Sequence, residues 1–60
     1  MAMARIWANR LEAGTKHWDE VPASRKDDVR GILRDDAADG RNGMTGERFQ
    51  EITGEPYGEA

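Results

Sequence analysis

The sequence contains no cysteine, so disulfide staples and thiolate metal sites are excluded. Redox chemistry therefore does not report the compartment, and a reducing cytoplasm is compatible. Large apolar side chains are scarce. Leu, Ile, Val and Phe together number eight of 60 residues, below the globular range of roughly 20 %. Eight alanines make up much of the remaining apolar set. So small a core points to a minimal helical unit, or to one that completes its core on a partner. No apolar run approaches the ~20 residues that span a bilayer. Met1–Trp7 lacks a basic stretch followed by an apolar one and does not read as a secretory signal.

Long blocks of one charge are also missing. Nine basic and 12 acidic residues are interspersed to a net charge of −3, and no basic block exceeds Arg25-Lys26. Phosphate neutralisation needs a basic patch, so direct nucleic-acid binding is not expected.

What is present is helical periodicity. Met3, Trp7 and Leu11 recur at i, i+4 and i+8, with Ile6, Ala4 and Ala8 beside them, so a helix is predicted over about 2–13. Arg5, Asn9 and Glu12 share its opposite face. Arg10 interrupts the apolar face. It either lays its stem along that face with its head in water or marks where a partner carboxylate docks. Gly14 is the stop signal. In the connector, Trp18 and Val21 are spaced to turn inward together. Pro22 suits the first position of a second helix, about 22–38, with Val29, Ile32, Leu33 and Ala37 as its stripe. Gly31 in mid-helix either admits a close helix neighbour or is a tolerated weak point. After a Gly- and Asn-rich break, Thr45 reads as an N-cap and Met44 as a staple residue. Phe49 and Ile52 form the inner face of a short third helix, 46–53, closed by Gly54. Residues 55–60 read as a tail with Tyr57 as its anchor.

The candidate chemistry is thin. Asp35-Asp36 to Asp39-Gly40 is a partial calcium-loop pattern. With Asp35 first, however, the third position is Ala37 and the twelfth is Gly46, so two ligands are missing and a solvated helix end is the reading. His17, the only histidine, has no nucleophile or carboxylate spaced to work with it. Asp27-Asp28 and Asp35-Asp36 are sequence neighbours on a helix and do not face each other. They read as surface carboxylates. Trp7 and Trp18 are either core or interface anchors.

The segment Met44–Tyr57 carries Thr45, an aromatic at Phe49, then Glu51-Ile52-Thr53-Gly54 and Tyr57. It resembles the C-terminal signature of the XkdX family, very short proteins encoded in the tail gene clusters of tailed phages and prophages. Arg48 stands where that pattern usually has an acidic residue, which leaves a reciprocal capping box incomplete. Ile6-Trp7-Ala8, Leu11–Thr15 and Asp19–Pro22 resemble a second group of tiny phage proteins. The helix after the Gly-rich turn is similar to SHOCT-type modules, which act in oligomer assembly.

Residues and resemblance together predict an all-α unit with one domain over 1–54 and a tail over 55–60. Its core is expected to hold Trp7, Leu11, Trp18, Val29, Ile32, Leu33, Phe49 and Ile52. The expected function is non-enzymatic, with no cofactor and no metal. The resemblance implies a phage structural or accessory protein, in the virion or host cytoplasm, that binds a tail or virion protein. Trp7, Leu11, Trp18, Phe49 and Tyr57 are the expected contact residues. An alternative is a phage-encoded acidic inhibitor of a host protein that uses Asp27, Asp28, Asp35, Asp36 and Asp39 in place of phosphates. A homo-oligomeric module is a third.

Overall fold

Three helices follow one another in the chain, α1 (Met3–Ala13), α2 (Ala23–Asp39) and α3 (Gly46–Thr53). Single 3-10 turns at Trp18–Glu20 and Arg41–Gly43 join them. This is a computed structural model that describes residues 3–58, and no strand occurs among the described residues. The fold is all-α, as the periodicity implies. The predicted start of α1 at residue 2, and Glu59 and Ala60 of the tail, lie outside the described residues.

The helix ends are set by local chemistry. At the end of α1, Gly14 takes φ +82°. Its N–H donates to the Leu11 carbonyl at 3.2 Å and that of Thr15 to the Arg10 carbonyl at 3.0 Å. This is the Schellman pattern, which satisfies two carbonyls that the helix leaves open. Gly40 and Gly54 close α2 and α3 in the left-handed region, each with its N–H bonded to a carbonyl four residues back. Thr45 caps α3 as expected, its hydroxyl accepting the Arg48 N–H at 3.1 Å. Met44 and Phe49, at the staple positions, are both buried. Pro22 differs from expectation. With ψ 143° it is the extended residue before α2 rather than its first helical residue. The preceding residue, Val21, is also extended and is buried in the core, which holds Pro22 outside the helix.

The core consists of Ala4, Ala8, Leu11, Val21, Val29, Leu33, Met44 and Phe49. Trp7, Trp18, Ile32 and Ile52, expected inside, are half-buried against it. The reason is how α1 is rolled. Its inward residues are Ala4, Ala8 and Leu11, not the Met3–Trp7–Leu11 stripe. At about 100° per residue the helix is turned by roughly 70° from the predicted face. Two alanines let its backbone approach α2, and Arg5 and Glu12 come to the edge of the interface instead of facing water. The solvated reading of Asp36 is overturned by the same roll, because Asp36 is only 2 % exposed.

Few large apolar residues do not leave the chain loose. The radius of gyration is 10.2 Å, against about 10 Å for a compact domain of this length. The accessible surface is 3878 Å², against about 3,900 Å² for a globular monomer of this mass.

Candidate docking surface

The roll of α1 leaves its large apolar face uncovered. Met3, Ile6, Trp7 and Arg10, with Lys16 from the connector, line an open groove of about 350 Å³. Met3 is 51 % exposed and the most exposed large apolar residue described. Ile6 and Trp7 are half-buried, and Arg10 is exposed beside them. Arg10 keeps its head in water at the rim of this groove, which is compatible with both of its sequence readings.

The other predicted contact residues lie elsewhere. Leu11 and Phe49 are buried core, and in this fold they support the surface rather than form it. Trp18 is half-buried, with the Lys26 ammonium 4.8 Å and the Arg30 guanidinium 5.7 Å from its ring centre. Tyr57 lies edge-on to Phe49 at 5.4 Å between centroids and does anchor the tail. Tyr57 is not alone in this. Arg34 donates to the carbonyls of Tyr57 and Pro56 at 3.0 and 3.2 Å, and Arg30 binds Glu55 through two bonds of 2.7 and 3.1 Å. Lys26, Arg30 and Arg34 thus form a row along one flank of α2. They pin the connector on one side and residues 55–57 on the other. Their i, i+4, i+8 spacing was visible in the sequence, but it reads there as surface charge.

An ionic cluster built around the buried Asp36 sits where α1, α2 and the 41–43 turn meet. Arg5 grips Asp36 with two bonds of 2.8 Å. Arg41 approaches the same carboxylate at 3.8 Å. The Arg5 guanidinium holds Asp36 below the usual carboxylate range. Glu12 lies beside Asp36. One of its oxygens accepts from the Asn42 amide at 2.7 Å, and the other is buried without a partner. Burial, followed by hydrogen bonding to Asp36, pushes the Glu12 carboxyl up to about 7. Near neutrality, therefore, Glu12 carries a proton part of the time. The cluster ties α1 to Asn42, the one described non-glycine residue with positive φ (57°). No apolar periodicity marks it, so only an i, i+7 pairing of Arg5 with Glu12 hinted at it.

The remaining candidates lie apart from this cluster. His17 is exposed, and its backbone N–H donates to Glu20 at 3.0 Å. Asp35 and Asp39 are exposed on α2 while Asp36 is turned inward to Arg5, so the three carboxylates of the partial calcium pattern do not converge. Among the described residues no three acidic or histidine side chains are placed to hold a metal ion. No described helix is long and apolar enough to cross a membrane. Gly31 is exposed with nothing within 4 Å of where a Cβ would stand, so it is a weak point in α2 rather than a helix contact. Comparison with protein-family models, curated proteins and solved structures finds no match to this chain.

Proposed function

We propose that this protein is a non-enzymatic docking module that binds a larger protein through the outer face of α1. The observation that carries the reading is the uncovered groove of Met3, Ile6, Trp7, Arg10 and Lys16. An indole and a methionine on a well-formed helix are the side chains that interfaces use as anchors. The resemblance of Met44–Tyr57 to the XkdX signature supports a phage tail or virion protein as the partner, in the virion or the host cytoplasm. In this structure those residues also have local duties. Thr45 caps α3, and the Thr53 hydroxyl bonds the Phe49 carbonyl at 2.9 Å and accepts the Glu55 N–H at 3.0 Å.

The test is mass spectrometry of purified phage particles carrying the wild-type chain or Trp7→Asp. The wild-type chain is expected at a fixed ratio to a tail protein. Trp7→Asp is expected to be depleted while retaining its helical circular dichroism. Absence of the wild-type chain from particles overturns the structural reading. In that case the acidic inhibitor gains, since Asp27, Asp28, Asp35 and Asp39 stand exposed on α2. Asp36 is excluded from that set by its burial.

A further inference from the structure

We propose that the occupant of the α1 groove is an acidic amphipathic helix of the partner protein; this rests on the docking reading above. The groove is basic at its rim although the chain as a whole is acidic. Its two charged lining residues are Arg10 and Lys16, and no carboxylate lines it. Arg10 makes no ion pair among the described residues. Lys16 has only a loose 3.7 Å approach to Glu20, with both side chains about 40 % exposed, and such pairs hold weakly. Both cations are therefore available to a ligand.

The floor sets the shape of the ligand. Met3, Ile6, Trp7 and Arg10 lie on successive turns of one helix and span about 10 Å along its axis. A trough beside a helix accepts the ridge of a second helix, whose apolar side chains recur at i, i+3 or i+4, and i+7. Aspartate or glutamate flanking that ridge meets Arg10 and Lys16. A second copy of this chain fits poorly. Isologous pairing of two grooves sets Arg10 and Lys16 of both copies around one apolar floor, and like charges so placed repel. The acidic outer face of α2 is also unsuitable, because Ser24, Asp28, Gly31, Asp35 and Asp39 supply no large apolar side chain.

The test uses the full chain with two synthetic helical peptides that share one leucine stripe. One peptide is flanked by glutamates and the other by lysines. The indole N–H resonances of Trp7 and Trp18 report the site separately. The glutamate peptide is expected to shift the Trp7 signal and to bind about tenfold tighter than the lysine peptide, equivalent to 1.4 kcal/mol. The double variant Arg10→Glu, Lys16→Glu is expected to reverse that preference. Both substitutions lie outside the core, and the helical circular dichroism of the variant checks that it is folded. Equal binding of the two peptides at Trp7, or no reversal in the variant, overturns the acidic-helix proposal and leaves the docking surface standing. Failure of both peptides to move Trp7 overturns both. Binding of phosphatidylserine vesicles at Trp7 with both peptides silent also overturns the proposal, in favour of a lipid surface.

Discussion

Replacing Glu12 by glutamine should make this protein more stable at mildly alkaline pH, although it removes a charged side chain from an ion-paired cluster. The Glu12 carboxyl titrates at about 7 in the fold against 4.5 for an ordinary glutamate. Between those values the folded chain holds a proton that the unfolded chain has released. Stability is therefore full below the unfolded value and is lost as pH rises through about 7. Taken whole, the shift corresponds to about 3.4 kcal/mol at 1.36 kcal/mol per unit. Glu12 is partly open to solvent, which reduces that figure to roughly 1–2 kcal/mol. Asp36 works in the opposite sense. Its lowered carboxyl stabilises the fold above the ordinary aspartate range, and that contribution is lost as pH falls through its folded value. The two together place maximum stability near about pH 5, with a decline toward about pH 8. A glutamine at position 12 is neutral throughout. Its carbonyl accepts from Asn42 and its amide donates to Asp36, so it mimics the protonated acid. Urea denaturation followed by circular dichroism across this range is the assay. The variant should match the parent near about pH 5 and exceed it by roughly 1–2 kcal/mol near about pH 8. Glu51→Gln, at an exposed position, should keep the parent's decline. Parallel curves for Glu12→Gln and the parent between those pH values would refute the assignment of the proton to Glu12.

The same glycine-to-alanine change should act with opposite sign at two sites. Gly31→Ala adds a methyl group to open space in mid-α2 and should stabilise by about 0.5–1 kcal/mol in urea denaturation. At Gly46 a Cβ would come to 2.7 Å from the Tyr57 ring. Gly46→Ala should displace that ring, lose an aromatic contact worth about 0.5–1.5 kcal/mol and change the Tyr57 ring-current shifts seen by NMR. Asp36→Ala removes the carboxylate partner of the Arg5 guanidinium at the α1–α2 interface. Because Arg5 is itself 30 % exposed and can turn to water, the loss should be about 1–2 kcal/mol, that of a charge-assisted hydrogen-bonded pair, and appear as a fall in the urea midpoint. Thr45→Ala removes the α3 cap and should cost about 1 kcal/mol by the same measurement.

The parts of the fold most legible in the sequence were those that depend on short-range chemistry. Gly14, Thr45 and Gly54 act within a few residues of themselves, and α3 runs over the predicted span. The roll of α1 was not legible, because it depends on residues far apart in the chain. Periodicity weights each side chain by its size, so Met3 and Trp7 outweighed Ala4 and Ala8. Close backbone approach reverses that weighting, and Asp36, 31 residues from Arg5, fixes it with two charge-assisted bonds. The candidate site suffered the same displacement. Trp7 lines the groove, but Leu11 and Phe49 are withdrawn into the core and Tyr57 is engaged by Phe49 and Arg34. Lys16 and Met3 joined the site only through the helix roll.

The seating of residues 55–57 on Arg30 and Arg34 bears on how the chain comes to be folded. Phe49, the largest fully buried side chain, is closed over by Tyr57, eight positions further on in synthesis. A chain cut after Gly54 uncovers one side of that ring, takes Glu55 from Arg30, which keeps Asp27, and takes both carbonyl acceptors from Arg34. The core around Phe49 therefore stays incomplete until Tyr57 is in place. A cut or a bulky fusion placed between Gly54 and Tyr57 should disturb α3 first, where Tyr57 packs on Phe49 and the Glu55 N–H bonds Thr53. The flank of α2 that carries Arg30 and Arg34 should follow.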